Sequence, residues 1–277
     1  MRDWNARPVV VTAAITGADV TRDTNPNIPY TPEEIAESSL RSVEAGAAIV
    51  ALHAREPDGT PSGRPELFQD AIGRIREKAP QAVINVSTGG ADTMSTQERL
   101  GGLRAAPDMC GVETGSMNFG DGTFITSPAA GREIITRATA QNTALEVEAF
   151  EVGHVISAVR LLEEGLLPGP LRVNLVFGVP GGIDASPEAL DAMIRPLPEG
   201  TFWSVTCVGR HHDRMLALAL LRGADGVRTG LEDVAYIGKG VLAPSNEALV
   251  ARLTGLATTL GREVATLGQA RELLAIG

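Results

Sequence analysis

The feature that most constrains the fold is a regular alternation of short β-branched runs with longer segments of helical pattern. One helical segment has Thr31 at its N-cap, Pro32 at its first position and Glu34 three residues after the cap, which is a strong start signal for a helix. Eight runs read as strands: Val9–Ala14, Ala48–His53, Ala82–Ser87, Met109–Glu113, Ala144–Ala149, Leu171–Phe177, Phe202–Cys207 and Gly226–Thr229. Eight strands, each followed by a helix, predict a (β/α)₈ TIM barrel.

A doubly wound open sheet is the alternative architecture for such an alternation. It would carry a glycine-rich turn after the first strand, and Thr16-Gly17-Ala18 matches such a turn poorly. The 277 residues show no break in composition and no low-complexity linker. We therefore expect a single TIM-barrel domain over residues 1–277.

Composition and charge narrow the classes of function and location. A net charge of −10, only two lysines (Lys78 and Lys239) and 4% aromatic residues argue against a nucleic-acid surface. The chain has no apolar run of about 18 residues that would span a membrane, and Met1–Arg7 lacks the apolar core of a signal peptide. Cys110 and Cys207 are too few for a disulfide framework. We expect a cytoplasmic protein.

In a TIM barrel the chemistry collects where the strands end, and several predicted strands of this chain end in polar residues. On the second strand, alternation places Ala51, His53 and Arg55 on one face. The third strand runs into Ser87-Thr88-Gly89-Gly90, whose hydroxyl and N–H groups suit a carboxylate or a phosphate. Each segment also has a purely structural interpretation. His53 would be a hydrogen-bonded core residue, and Ser87 to Gly90 would form an ordinary turn.

The remaining strand ends add carboxylates. The fourth strand ends at Glu113 and leads into Thr114 to Asn118, and Glu146 and Glu148 share a face of the fifth, either inward or simply solvated. The end of the eighth strand carries Arg228, Glu232 and Asp233. These residues form either a helix cap with a salt bridge or part of a functional site. An imidazole and carboxylates converging at one rim suit a divalent metal, zinc foremost, with positions left for substrate.

At this point the chain resembles the β-keto acid cleavage enzyme family nearly from end to end. The order and spacing of the motifs are specific. They are Thr12-Ala13-Ala14-Ile15-Thr16-Gly17-Ala18, Leu52-His53-Ala54-Arg55, Asn85-Val86-Ser87-Thr88-Gly89-Gly90, Thr114-Gly115-Ser116-Met117-Asn118-Phe119, Glu146-Val147-Glu148-Ala149-Phe150 and Val227-Arg228-Thr229-Gly230-Leu231-Glu232-Asp233.

The resemblance implies a zinc-bearing barrel that condenses a β-keto acid with acetyl-CoA to give acetoacetate and an acyl-CoA. It implies Asp233 as general base oriented by Arg228, and His53 and Glu232 as zinc ligands. One of Glu146 and Glu148 would be a further catalytic residue, with Glu146 preferred. The substrate carboxylate would be held by Ser87, Thr88, Gly89, Gly90, Thr114 and Ser116. It also implies a homo-oligomer, with a tetramer favoured. The apolar tail helices around Ala248–Leu260 are a candidate interface, and the alternative is that they only close the barrel.

One departure from the family pattern matters. The family has His-x-His on the second strand, and here the first of these positions is Ala51, whose methyl group cannot ligate a metal. His154 and the pair His211-His212 are the other candidate donors. Zinc is therefore held by fewer protein ligands, or the metal differs, or the chemistry is lost.

Two competing functions are open, and the second of them follows from Ala51. One is a metal-dependent C–C lyase or aldolase acting on a keto acid without CoA; a Schiff-base version is disfavoured because neither Lys78 nor Lys239 ends a strand. The other is a catalytically impaired barrel that still binds a keto acid. The acyl chain is not determined by the motifs, and residues 22–30 and 211–214 are candidates for selecting it.

Overall fold

The structure is a computed structural model that describes residues 7–91 and 93–277. Eight parallel strands form a closed barrel in which each strand lies beside its neighbours in the chain, and β1 hydrogen-bonds to both β2 and β8. The strands are β1 Val10–Ala14, β2 Ile49–Leu52, β3 Val83–Val86, β4 Met109–Glu113, β5 Ala144–Ala149, β6 Arg172–Phe177, β7 Phe202–Cys207 and β8 Gly226–Thr229. The predicted TIM barrel is confirmed.

Helices connect the strands on the outside of the barrel. The predicted start of the first helix is correct, because Thr31 Oγ1 accepts a hydrogen bond from Glu34 N while Glu34 Oε2 accepts one from Thr31 N. The helices are α1 Pro32–Glu44, α2 Pro65–Lys78, α3 Thr96–Arg99, α4 Pro128–Ala140, α5 Val152–Glu163, α6 Pro187–Ile194, α7 His212–Leu221, α8 Asn246–Thr259 and α9 Leu267–Leu273.

The connection after β3 departs from the expected long helix. It contains only the one-turn α3 and a 3₁₀ segment, Gly101–Ala105. The reason is a close approach of two backbones: a Cβ on Gly101 would lie 1.7 Å from the carbonyl oxygen of Gly63, and a Cβ on Gly63 would lie 2.4 Å from that of Glu98. A helix with ordinary side chains on this face would not fit against the loop that precedes α2.

Three short hairpins follow the carboxyl ends of strands. They are Ala54–Arg55 with Pro61–Ser62 after β2, Met117–Phe119 with Gly122–Phe124 after β4, and Tyr236–Gly238 with Val241–Leu242 after β8. Because all three extend from this end of the barrel, they build the walls around any site that the strand ends form.

The interior of the barrel changes from apolar to polar along its axis. At the amino end, Val10, Ile49 and Met109 pack against Ala270 and Leu274 of the C-terminal segment. One layer higher the inward side chains are polar, and Asn85 Nδ2 donates to Glu146 Oε2 at 2.9 Å while Thr206 Oγ1 donates to Asn174 Oδ1 at 2.9 Å. The amino end is therefore a packed core, and the polar side chains lie towards the carboxyl end, where TIM barrels form their sites. Across the described ranges, no helix has the length and apolarity needed to cross a membrane.

Asn246, the first residue of α8, provides a test of how the carboxyl end is held together. Its buried side chain accepts a hydrogen bond from Leu231 N and donates to Ile15 O and Ser38 Oγ. Replacing it with alanine leaves buried partners unsatisfied. We expect Asn246→Ala to lower the free energy of unfolding in urea by about 3 kcal/mol.

The exposed Asn118 supplies the matched control, and Asn118→Ala should change the free energy of unfolding by less than about 0.5 kcal/mol. A similar small effect for both variants would show that Asn246 does not tie α8 to the ends of β1 and β8.

Candidate active site

A cavity of about 290 Å³ opens at the carboxyl end of the barrel. It collects side chains from strand ends that are far apart in the sequence, as expected for a TIM-barrel site. Of the residues predicted from the sequence, seven line it: His53, Ser87, Gly89, Gly90, Arg228, Glu232 and Asp233. Glu113 and Glu148 also line it.

Arg228 lies at the centre of the charged part of this cavity. Its side chain points inward from β8 and is 11% exposed. Its Nε and Nη2 bind Asp233 in a bidentate pair at 3.1 and 2.9 Å, Nη2 also binds Glu232 at 2.6 Å, and Nη1 binds Glu148 at 3.2 Å. A turn in which Asp233 N donates to Gly230 O folds both carboxylates of this segment back over the guanidinium.

The three carboxylates titrate differently because their surroundings differ. Burial alone would raise the pKa of Glu232, but Arg228 and His53 outweigh it and lower that pKa to about 2. Burial and the nearby Glu113, Glu146 and Glu232 raise the pKa of Glu148 to about 7 despite Arg228. Burial also raises the pKa of Asp233. The guanidinium stays protonated because these carboxylates raise the pKa of Arg228 against the effect of its burial.

The loop after β1 fixes the position of Glu232. Gly17 has a φ of +65°, and a Cβ on it would lie 2.6 Å from Glu232 Cγ. Arg55 Nε donates to Gly17 O at 2.9 Å, and the guanidinium also binds the carbonyl oxygens of Val20 and Gly59. This loop therefore packs directly against one carboxylate of the site.

Arg55 itself does not line the cavity beside His53, which corrects the expectation from strand alternation. Strand β2 ends at Leu52, and Arg55 belongs to the hairpin that follows. Its side chain is 1% exposed and holds backbone carbonyls of the β1–α1 loop. The alternation of facing directions holds only within a continuous strand, and here the strand is interrupted.

His53 and Glu232 are the two metal donors that the resemblance implies, and the structure brings them together. His53 Nε2 lies 3.5 Å from Glu232 Oε1, and the buried Glu232 Oε2 has no hydrogen-bond partner. A catalytic zinc uses three protein ligands. Within residues 7–91 and 93–277, no group of three or more His, Cys, Asp and Glu side chains is placed to hold a metal ion. The residues present do not form a three-ligand zinc site.

The other histidines are engaged elsewhere. His212 hydrogen-bonds through Nδ1 with Cys207 O and through Nε2 with Thr229 Oγ1. His154 Nδ1 accepts from Phe150 N, and His211 Nε2 accepts from Arg210. None of the three lines the cavity, so the described side chains offer no imidazole in place of the one missing at Ala51.

The predicted carboxylate-binding residues divide into two groups. Ser87, Gly89 and Gly90 line the cavity, and Ser87 Oγ accepts a hydrogen bond from Gly89 N, which leaves its hydroxyl proton free to donate. The structure does not bring Thr88, Thr114 and Ser116 into the cavity. Their hydroxyl groups donate instead to Gly111 O, His154 O and Thr126 O, respectively.

Glu146 and Glu148 both point inward from β5, at different depths. Glu148 reaches the cavity and Arg228. Glu146, the preferred candidate from the sequence, lies one layer lower, accepts from Asn85 and does not line the cavity. Burial raises its pKa.

The Arg99–Glu113 pair is the functional feature that sequence reasoning missed. Arg99 Nη2 lies 2.9 Å from Glu113 Oε2, and both side chains are buried. Arg99 Nε also donates to Thr88 O, which fixes the loop that presents Ser87 and the two glycines. The one signal in the sequence was an unexplained glutamate at the end of the fourth strand.

Together these features define an enzyme built on a TIM barrel, with a carboxylate clamped by an arginine in its cavity. The chain belongs to the β-keto acid cleavage enzyme family, whose family model matches residues 8–276. It is 42% identical to a 3-keto-5-aminohexanoate cleavage enzyme of Fusobacterium nucleatum subsp. nucleatum, across 97% of this chain and 98% of the relative.

Two further similarities are informative. A 3-oxoadipate:acetyl-CoA acetyltransferase of Cupriavidus necator is 35% identical, across 98% of this chain and 95% of the relative. Among solved structures, the ternary complex of ObcA with a C4-CoA adduct and oxalate matches with a TM-score of 0.80 and 21% identity, covering 91% of this chain and 68% of that chain. At this level of identity, the second likeness concerns the fold alone.

Position 51 supplies a direct test of the metal site. We expect the protein purified without chelators to contain well under one zinc ion per chain, because two donors bind zinc more weakly than three. Ala51→His adds an imidazole on the strand that carries His53 and should raise the zinc content towards one per chain, measured by elemental analysis.

Ala51→Leu adds bulk without a donor atom and should leave the zinc content unchanged. Near-stoichiometric zinc in the protein with Ala51 would contradict the expectation and show that His53 and Glu232 suffice when water completes the site.

Glu148 supplies a test of the electrostatics. A carboxyl group whose pKa is higher in the folded than in the unfolded state binds more protons when folded, so its effect on the free energy of unfolding becomes unfavourable as the pH rises between those values. For Glu148 the pKa is 4.5 in the unfolded state and about 7 in the folded state. From pH 4.5 to 7, the free energy of unfolding of Glu148→Gln should rise relative to the wild type by about 3 kcal/mol.

The exposed Glu163 on α5 is the control residue, and Glu163→Gln should follow the wild type across the same pH range. If Glu148→Gln also follows it, Glu148 titrates near its ordinary pKa.

Proposed function

We propose that this protein is an acyltransferase that condenses a β-keto acid with acetyl-CoA and yields acetoacetate and the CoA ester of the remaining acyl group. Family membership supports the proposal, as does the name of the relative that acts on 3-oxoadipate with acetyl-CoA. The single observation that carries it is the buried Asp233, clamped by Arg228 and lining the cavity.

Asp233 is the general base of the proposal. Removing a proton from the carbon next to a keto group requires a carboxylate fixed within reach of that proton. The bidentate pair with Arg228 fixes both oxygens, and burial raises the pKa of Asp233, which makes it a stronger base. Arg228 orients Asp233 and supplies positive charge beside the enolate that forms.

Of the two candidate glutamates, we assign Glu148 to the cavity and Glu146 to the layer beneath it. Glu148 contacts Arg228 at 3.2 Å, so it shares the guanidinium with Asp233 and helps to hold its plane. Glu146 supports this layer through Asn85. Glu148 thus becomes the further catalytic residue of the proposal.

Ser87, Gly89 and Gly90 hold the substrate carboxylate in this proposal. Their loop combines an available hydroxyl proton with glycines that allow close approach of the backbone. Thr88, Thr114 and Ser116 support this region from outside the cavity, because their hydroxyl groups already bond to the backbone. Arg99 fixes the same loop through Thr88 O.

His53 and Glu232 are the two donors that would hold a zinc ion, and no step of the proposed reaction depends on zinc. The third donor position is Ala51, so the function proposed here relies on the proton chemistry of Asp233 and the charge of Arg228. Acetyl-CoA is the co-substrate. Location in the cytoplasm, a single domain and assembly as a homo-oligomer, with a tetramer favoured, complete the proposal.

The proposed oligomer requires a surface other than the apolar face of α8. Leu249, Val250 and Leu253 on this helix are buried within the chain, and the helix packs against α1, α7 and β1. The exposed Tyr236, Val241 and Leu242 of the last hairpin are better placed for contact with a second copy.

The alternative favoured by a specific observation is a keto-acid-binding barrel with impaired catalysis, because Ala51 removes a donor. A C–C lyase that works without CoA is the other alternative. Lys78 and Lys239 do not line the cavity, which disfavours the Schiff-base version. Formation of an acyl-CoA identifies the acyltransferase, and cleavage of the keto acid without acetyl-CoA separates the lyase from the impaired barrel.

The test combines the wild type with Asp233→Asn, which keeps the shape of the side chain and removes the base. Incubation with acetyl-CoA and β-keto acids should give acetoacetate and an acyl-CoA, detected by mass spectrometry. Because a general base contributes roughly 10²–10⁴-fold, we expect Asp233→Asn to lower kcat by about 10³-fold.

Asp121→Asn, at an exposed carboxylate of the hairpin after β4, should keep the wild-type kcat. Cleavage of the keto acid without acetyl-CoA would support the lyase. Binding of keto acids without any cleavage would support the impaired barrel.

A further inference from the structure

The active-site cavity has two chemically different sectors. The charged sector comes from β8 with Arg228, Glu232 and Asp233 and from β2 with His53. The opposite side holds Glu113 and Glu148 on β4 and β5, together with a group of apolar side chains on β6 and on the segments after β4, β5, β6 and β7. The apolar side chains are Phe119, Phe124, Phe150, Val176, Val179 and Val208. Because the strands follow their chain order around the barrel, the two groups face each other across the cavity.

The apolar side chains form a wall that backbone contacts hold in place. Phe119 and Phe124 lie on the two strands of the hairpin after β4. Gly120 N of this hairpin donates to Pro180 O at 2.9 Å, and a Cβ on Gly181 would lie 2.4 Å from Asn118 O. Backbone contacts thus hold the hairpin against the loop that follows β6.

The rings of this wall pack on one another. The Phe119 ring centroid lies 6.3 Å from that of Phe124 and 6.2 Å from that of Phe150, with the second pair edge to face. Phe150, Val176 and Val179 are each less than a tenth exposed. A wall that is already ordered and largely desolvated favours an apolar ligand group.

The charged groups near the wall are already paired within the protein. The Arg99 guanidinium lies over the Phe124 ring, 4.7 Å from its centroid, and its charge is matched by the buried Glu113. A ligand cation would therefore find this face of the Phe124 ring already occupied. A ligand anion would face the cavity carboxylates Glu148, Glu232 and Asp233, which already share Arg228.

We propose that the acyl group of the β-keto acid, which becomes the acyl-CoA, is an uncharged hydrocarbon group that packs on the wall formed by Phe119, Phe124, Phe150, Val176, Val179 and Val208. This inference rests on the function proposed above. It orients the substrate with its carboxylate at Ser87, its reacting carbon at Asp233 and its chain towards β5, β6 and β7. The wall then selects the acyl group of the substrate, in place of residues 22–30 and 211–214.

The first experiment compares three keto acids of similar length with acetyl-CoA: 3-oxohexanoate, 3-oxoadipate and 5-amino-3-oxohexanoate. They carry an uncharged, an anionic and a cationic acyl group, respectively. Because an unpaired charge is costly to bury, we expect kcat/KM for 3-oxohexanoate to exceed the other two by about 100-fold. Lengthening 3-oxopentanoate to 3-oxohexanoate should raise kcat/KM about fourfold, as expected for one buried methylene.

The same acids bound without acetyl-CoA, followed by calorimetry, separate the two proposals. If no acid is converted to an acyl-CoA but 3-oxohexanoate binds about 100-fold more tightly than the charged acids, the proposed function fails and the apolar subsite stands. If the charged acids are converted and preferred, the function stands and the apolar subsite is wrong.

Val179→Arg tests the location of the subsite. A cation on the wall should raise kcat/KM for 3-oxoadipate about tenfold or more and lower that for 3-oxohexanoate, in line with a buried charge that gains or lacks a partner. Ile125→Arg places the same charge on the neighbouring segment at a side chain that is 65% exposed, and it should leave both values unchanged. Equal effects of the two variants would overturn the assignment of the wall.

A cationic acyl group bound at the cavity mouth is the specific competitor. Asp19, exposed on the loop after β1, also lines the cavity. A preference for 5-amino-3-oxohexanoate that disappears in Asp19→Asn would overturn the proposal, whereas an unchanged preference for 3-oxohexanoate in this variant supports it.

Discussion

The carboxyl end of this barrel depends on one guanidinium that pairs with three buried carboxylates. Three carboxylates cannot share a desolvated cavity unless a cation compensates them, and Arg228 contacts all three. The surrounding structure keeps them in reach. Gly17 leaves room for the Glu232 side chain, and Asn246 holds Leu231 N immediately before it. The packing of α1, α8 and the loop after β1 thus holds these carboxylates around Arg228.

The three carboxylates that share this interaction differ in pKa because their other neighbours differ. All three carboxylates contact Arg228, yet the pKa of Glu232 falls to about 2 while that of Glu148 rises to about 7. Glu232 has His53 as a second neighbour that lowers its pKa, whereas Glu148 faces Glu113 and Glu146. Opposite shifts within one cluster give it both a permanently charged member and one that can carry a proton near neutral pH.

Sequence periodicity predicted the barrel and most of the charged sector because both follow from local rules. Eight β-branched runs gave eight strands, and the motif after the last strand supplied Arg228, Glu232 and Asp233. Three features were beyond such rules. Arg99 reaches Glu113 only because of a loop that no periodicity describes. Arg55 turns away where β2 is interrupted. Glu146 and Glu148 both point inward, and a period of two gives the facing direction but no depth.

Ala51 shows how far one side chain changes the balance of such a site. Its neighbours in the sheet are Ala14 and Asn85, so two methyl groups lie in the layer beneath His53, and Glu232 Oε2 has no partner. The enolate of the proposed reaction would add negative charge to a cavity whose guanidinium is already shared. Arg228 therefore has to compensate more negative charge than it would in a site with a second imidazole at position 51. This also explains why an acyl group without charge suits the opposite wall, since a further anion would have no cation left to meet.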